Sequence, residues 1–289
     1  MNHPEPNIKL NVDLTNPGQF FACCGMLELV DRLWPGAEGW FDGERFFIAT
    51  EGSTQELLNT MANTDIQSSV TDEGLKRLGT LMSAAKSSLD NDALQEKEAL
   101  RTRWQEETLI LEAPFGLQLS WWRDENNERT PLKTWAAKQF VLEIARPLLQ
   151  GVKRLADDTT SEDLLQKTEP VEGLPFYFDS HAQCQSTALD IGFSTYDLRN
   201  ELETVKAIRP ALELFAFIGL ERFHPQPNSQ TSAFTYTAWG SRLPVTIAAA
   251  TVGRRLRSYD DCVYQFSLLK RTKYMKAFLP AKPLEGAIS

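Results

Sequence analysis

The sequence is organised around the stretch NPGQFFACCGMLELVDRLW, residues 16–34. Asn16 can cap a helix by accepting a hydrogen bond from the first turn, and Pro17 suits the first helical position, where a missing N–H costs nothing. Apolar side chains then recur at spacings of three and four, as in a helix that lies on a core. Gly25 interrupts this pattern at a cost of about 1 kcal/mol relative to alanine. The stretch therefore predicts a buried helix over 17–34, with another backbone passing close to Gly25.

Length and composition restrict the class of protein. The chain has 289 residues, 42% of them hydrophobic, which predicts one or two domains with a sizeable core. Its net charge of −9 repels phosphate on average, so nucleic-acid binding would need a local basic patch. We expect no membrane span, because the sequence has no run of 18 apolar residues, and no secretory signal, because its first residues lack a basic region followed by an apolar one. The four cysteines match neither a disulfide framework nor a zinc site, which favours reduced thiols in the cytoplasm: Cys23, Cys24, Cys184 and Cys262.

The first part of the chain has the element order of a ferredoxin-like unit. The predicted elements are a strand, the helix, two strands joined by the turn Asp42-Gly43, and a helix, over residues 7–14, 17–34, 39–41, 45–49 and 55–62. Phe115–Trp122 is the candidate for the last strand of a βαββαβ unit, with about 63–107 as a mostly helical insertion. The sequence thus predicts an α+β fold with a ferredoxin-like βαββαβ N-terminal half and a mixed α/β C-terminal half.

The remaining segments predict further elements and a domain boundary. Thr108–Glu112 pairs with the strand at 115–122, and a helix over 136–149 stops before Gly151. The acidic, weakly patterned segment that begins at 157 divides the chain into a domain over 1–156 and a second over 157–289. In the second domain we predict a helix over 210–220 and strands over 234–239 and 243–250.

A basic tail ends the second domain. From Gly253 to Ser289 the net charge is +5, against −14 for the rest of the chain, and aromatic residues lie between the cations. Cations neutralise phosphate, and aromatic faces stack on unpaired bases. Two interpretations remain open at this point: a nucleic-acid surface, or a basic face that docks on the acidic part of the same protein.

A second cationic and aromatic segment is Lys133-Thr134-Trp135-Ala136-Ala137-Lys138, at the predicted start of a helix. Backbone amides and lysines at a helix N-terminus suit a phosphate group. The alternative interpretation is an ordinary capped helix.

Asp179, His181 and Cys184 are the candidate catalytic residues. They could form an acid, base and nucleophile or half of a metal site, although structural roles are the alternative. The chain contains no G-x-S-x-G, Walker, H-E-x-x-H or G-x-G-x-x-G motif. We therefore predict that the protein is not an enzyme and uses no metal or other cofactor.

Three groups of residues together carry a resemblance to a known family. They are Asn16-Pro17-Gly18-Gln19 with Gly25–Leu29 and Arg32–Ala37; Lys133–Ala136; and Arg209–Ala211 with Phe217–Phe223 and Phe234–Trp239. With these motifs the chain resembles CRISPR-associated type I-G (formerly I-U) effector-complex proteins of the Csb and large-subunit-like group. The resemblance implies a non-catalytic subunit of an RNA-guided, Cascade-like interference complex in antiviral defence. Its implied partners are crRNA and/or target DNA and other CRISPR effector subunits, with possible recruitment of a separate nuclease-helicase.

The predicted nucleic-acid contacts come from the two basic segments. They are Lys133, Lys138, Arg254, Arg255, Arg257, Lys270, Arg271, Lys273 and Lys276. One alternative function is a nuclease or hydrolase that uses Asp179, His181 and Cys184. The other is a protein scaffold that does not touch nucleic acid.

Overall fold

The computed structural model describes residues 5–123, 130–136, 139–156, 161–181, 206–228, 230–253, 256, 261–270 and 276–284. In these ranges the fold is mixed α+β, with seven α-helices and several antiparallel sheets. The helices are α1 (Pro17–Leu33), α2 (Thr54–Ala62), α3 (Asp72–Ser83), α4 (Asn91–Gln105), α5 (Val141–Leu155), α6 (Pro210–Gly219) and α7 (Val245–Val252).

The strands are short and pair only in the antiparallel sense. They are β1 (Ile8–Asn11), β2 (Glu38–Asp42), β3 (Arg45–Ala49), β4 (Ile66–Ser68), β5 (Leu109–Leu111), β6 (Leu117–Leu119), β7 (Glu169–Val171), β8 (Lys206–Ile208), β9 (Gln226–Asn228), β10 (Ala233–Ala238), β11 (Leu243–Pro244), β12 (Cys262–Phe266), β13 (Leu268–Lys270), β14 (Lys276–Phe278) and β15 (Lys282–Pro283).

Helix α1 is the central core element, as the sequence predicts. The side chain of Asn16 accepts a hydrogen bond from the Gly18 N–H at 3.1 Å, and every residue from Pro17 to Val30 is buried. A Cβ atom on Gly25 would overlap the carbonyl oxygen of Phe215 in α6 and lie 2.8 Å from the Gly219 nitrogen. The predicted close backbone is therefore confirmed: it belongs to α6, and the two helices touch where each carries a glycine.

The first sheet has the strand order β1-β3-β2-β11. β3 lies between β1 and β2 and is antiparallel to both, with α1 as the connection from β1 to β2. The predicted last strand does not join this sheet. Its core, Leu117–Leu119, pairs with β5 in the separate sheet β4-β5-β6. At the outer edge of β1, the Asn11 N–H instead donates to the Glu162 carbonyl at 3.0 Å.

The predictions for two elements are wrong in type or in extent. α5 does not stop before Gly151 but continues to Leu155. Gly151 is needed for close packing and does not end the helix, since a Cβ there would lie 2.6 Å from Pro210. The segment 243–250 is not a strand beyond β11 but forms α7, whose buried Val245, Ala248 and Val252 lie on one helical face.

One hydrophobic cluster includes core residues from both parts of the chain, and the α1–α6 contact lies at its centre. The predicted division near residue 157 stays a prediction. Within the parts of the chain that the structure describes, no helix combines the length and apolar character that a membrane crossing requires.

Candidate nucleic-acid interface

The two basic segments singled out in the sequence meet in the fold. The Lys276 N–H of β14 donates to the Thr134 carbonyl at 2.8 Å, and Lys276 Nζ donates to the Pro131 carbonyl at 2.7 Å. The next strand residues extend the same attachment, since the Phe278 N–H donates to the Tyr177 carbonyl at 3.0 Å. β14 is thus fixed to the segment around Lys133, although more than a hundred residues separate them in sequence.

The lysine hairpin is the hairpin of β13 and β14 with Lys270 and Lys276 at its end. These two lysines lie directly opposite each other in the antiparallel register. Lys270 is exposed and Lys276 is half-buried. Burial and then the charge of Lys270 lower the pKa of Lys276. Among the residues that the structure describes, no carboxylate forms a salt bridge with either lysine.

Like charges directly opposite on a hairpin destabilise it, so this pair favours an incoming anion. Arg271 and Lys273 belong to the segment that connects Lys270 to Lys276 and lie outside the described residues. By sequence, they add two cations between the paired lysines. Four other predicted contacts also lie outside the described residues: Lys138, Arg254, Arg255 and Arg257.

Lys133 is buried and does not lie on the surface. Its side chain is 7% exposed, and its Nζ lies 4.8 Å from the ring centroid of Trp135. The buried carboxyl of Glu107 is nearby: burial raises the pKa of Glu107 to about 7, against the opposing effect of the Ser68 hydrogen bond and the Lys133 charge. A buried cation over an indole cannot reach a phosphate in this conformation, which argues against the predicted contact. The helix start is also wrong, because α5 begins only at Val141.

Of the three candidate catalytic residues, the structure describes Asp179 and His181, and their side chains have different partners. Asp179 is 4% exposed and accepts hydrogen bonds from Asn16 Nδ2 at 2.9 Å and Arg209 Nη1 at 2.6 Å. His181 does not use Asp179 as its side-chain partner; its Nε2 lies 3.0 Å from Oδ2 of Asp13. Cys184 lies outside the described residues. Asp179 therefore connects the N-terminus of α1 to α6 and is not presented to a substrate.

The buried carboxyl of Glu213 completes this polar network and was missed in the sequence. Its Oε1 accepts the Phe178 N–H at 3.1 Å and the Asp179 N–H at 3.0 Å. Burial, together with the nearby Asp179 charge, raises the pKa of Glu213 to about 8 against these stabilising hydrogen bonds. A lone acid within the apolar helix 210–220 was the signal that could have identified it.

Glu213 predicts a specific pH dependence of stability. Its pKa is higher in the folded than in the unfolded chain, so the folded state binds more protons between about pH 4.5 and about pH 8. Stability contributed by this group therefore falls as the pH rises through that window. We expect Glu213→Gln to make the fall shallower in urea unfolding measured across it. Equal slopes for the two proteins would contradict the assignment.

Comparisons with known proteins identify no relative of this chain: no family model, curated protein or solved structure matches it. Within the ranges that the structure describes, no three histidine, cysteine, aspartate or glutamate side chains are grouped so that they could hold a metal ion.

Proposed function

We propose that the chain is a non-catalytic, nucleic-acid-contacting subunit of an RNA-guided CRISPR interference complex in the cytoplasm. The observation that supports this most directly is the lysine hairpin, where Lys270 and Lys276 face each other without a carboxylate partner in the described chain. The acidic remainder of the chain suits contacts with basic protein neighbours. In this proposal the ligand is crRNA and/or target DNA, and cutting belongs to a nuclease-helicase recruited by the complex.

The resemblance of the sequence motifs to type I-G effector proteins suggests that the chain belongs to an interference complex. The lysine hairpin suggests where the chain contacts nucleic acid. In RNA-guided complexes the base pairing of the guide reads the sequence, while protein groups hold the backbones. A pair of like cations suits that task because it attracts phosphate without selecting a base. We further propose that β1, α1, β2 and β3 form a split βαβ unit of the ferredoxin-like kind, elaborated by the other sheets.

The enzyme alternative has less support. A hydrolase that uses Asp179 and His181 needs both side chains to face one reacting atom. Here the Asp179 carboxylate already accepts hydrogen bonds from Asn16 and Arg209, and the His181 side chain pairs with Asp13. The scaffold alternative differs from our proposal only in nucleic-acid contact, so the next experiment separates the two.

Charge reversal at the hairpin is expected to weaken nucleic-acid binding. In the variant Lys270→Glu/Arg271→Glu/Lys273→Glu, each lost phosphate contact reduces the dependence of log K on log salt by about one unit. We expect lower affinity for RNA or DNA in a fluorescence anisotropy titration and a smaller salt slope. We also expect a melting temperature close to that of the parent, since an exposed charge such as that of Lys270 contributes little to folding.

The matched control reverses the same number of charges elsewhere. Lys76, Arg101 and Arg103 are exposed on α3 and α4, so their change to glutamate gives the same net charge without touching the hairpin. If both triple variants lose affinity equally, only overall charge matters and the hairpin is not the contact. If the hairpin variant instead loses stability and keeps its salt slope, the basic tail docks on its own protein.

A further inference from the structure

The outer face of the first sheet carries a row of aromatic and cationic side chains. Residues alternate between the two faces of a strand, and those that point away from α1 include Lys9 on β1, Phe47 on β3 and Trp40 on β2. The register places Lys9 opposite Phe47, and Phe47 opposite Trp40. These three side chains are therefore direct neighbours across the sheet.

The aromatic residues of this row form an ordered stack. The guanidinium carbon of Arg242 lies 4.6 Å from the ring centroid of Trp40. The Trp40 ring in turn stacks on Phe47 at a centroid separation of 5.4 Å and an interplanar angle of 16°. Phe47 also lines a groove of about 630 Å³, whose other lining residues are Asn11, Val12, Asp13, Asp42, Glu44, Arg45 and Gln166. The stack thus begins at a cation, and its last ring, Phe47, borders open space large enough for a further planar group.

Charges around the groove favour a base within it and a phosphate at its rim. Lys9 and Arg45 are exposed on the same face as Phe47, and neither forms a salt bridge with an acid in the described part of the chain. The carboxylates of Asp13, Asp42 and Glu44 line the groove itself. Such groups repel phosphate but accept hydrogen bonds from the exocyclic amines of bases.

We propose that this stacking face, made of Trp40, Phe47 and Arg242 with Lys9 and Arg45 at its rim, binds unpaired nucleobases of a single strand. The proposal rests on the proposed nucleic-acid contact but assigns a second surface, on a different sheet from the lysine hairpin. Every base has a π-face, so stacking on Phe47 tolerates any sequence. A duplex keeps its bases stacked on one another and gains nothing from this face.

The test uses the full chain, a labelled single-stranded RNA of mixed sequence and the corresponding duplex, titrated by fluorescence anisotropy at several salt concentrations. For Phe47→Leu we expect about tenfold weaker binding of the single strand, with the salt slope and duplex binding unchanged, because stacking releases no counterions. Phe47→Tyr keeps the ring and should bind like the parent. Lys9→Glu, which leaves the core intact, should weaken binding of the single strand and reduce its salt slope.

The outcomes separate this proposal from the proposed function. If Phe47→Leu binds the single strand like the parent while the hairpin variant binds weakly, the stacking face is refuted and the hairpin contact stands. If Phe47→Leu and Phe47→Tyr weaken binding equally, the ring does not stack on a base. If the parent binds neither RNA, both proposals fail.

Discussion

Replacing Gly25 by alanine is expected to lower the free energy of unfolding by about 3 kcal/mol, because no space exists for a side chain where α1 meets α6. A Cβ at this position would overlap the Phe215 carbonyl, which is backbone and cannot rotate away. The two helices would have to separate at a contact where the Phe21 carbonyl likewise leaves no room for a Cβ on Gly219, and the packing around this contact would be lost. Urea unfolding measures this loss as a lower midpoint.

Gly79 provides the matched control for this substitution. It also lies inside a helix, α3, but a Cβ there would meet only the Phe140 ring, at an ordinary 3.5 Å. Gly79→Ala should therefore be neutral or stabilise the protein by up to about 1 kcal/mol, through helix propensity alone. If Gly25→Ala unfolds at the same urea concentration as the parent, α1 and α6 do not approach as closely as the structure has them.

Replacing Asp179 by alanine is expected to cost about 3–5 kcal/mol, the usual cost of removing one partner from a buried ion pair. Asp179 is 4% exposed and pairs with Arg209, which is itself largely covered. The Asn16 amide would lose its acceptor in the same change. Because Asn16 also caps α1, the loss extends to the start of the central helix.

An exposed ion pair serves as the control for Asp179. Asp72 pairs with Arg146 at 3.1 Å, but the two side chains are 58% and 37% exposed. Asp72→Ala should therefore cost less than about 1 kcal/mol. Thermal or urea unfolding of the two alanine variants compares them directly. Similar small losses would mean that Asp179 is not the buried link between α1 and α6.

Local sequence patterns predicted the elements whose causes are local. The cap at Asn16, the apolar spacing of α1 and the Asp42-Gly43 turn each act within a few residues, and the structure has the helix and the hairpin in those places. Gly25 also gave correct information about a distant contact, because a glycine inside a helix is costly without a reason. Gly151 led to a wrong prediction of a helix end, since a glycine can mark either a helix end or a close contact.

Other features depend on which segments meet, and that information is not local. The strand at Leu117–Leu119 was predicted correctly as a strand, but its sheet is chosen by long-range pairing. The alanine-rich part of 243–250 has both strand-like and helix-like spacing, and burial on one helical face decides the outcome.

In the candidate site too, local sequence identified some residues, while their arrangement depends on long-range pairing. The charge count identified Lys270 and Lys276, but only the antiparallel register places them opposite each other. The burial of Lys133 beside Trp135 and the Glu107 carboxyl could not be predicted from local sequence, because the carboxyl comes from a distant part of the chain. The stacking face was missed entirely, because Lys9, Phe47, Trp40 and Arg242 become neighbours only through strand pairing.

We propose that the chain functions while bound to RNA within a larger assembly. The most direct measurement is to purify the tagged chain from the organism that encodes it and to sequence the nucleic acid and identify the proteins that come with it. Our account predicts small RNAs that carry CRISPR repeat sequence, together with other effector subunits, and less RNA with the variant Lys270→Glu/Arg271→Glu/Lys273→Glu than with the control variant. A chain that purifies alone and without nucleic acid, from cells that express their CRISPR locus, would contradict it.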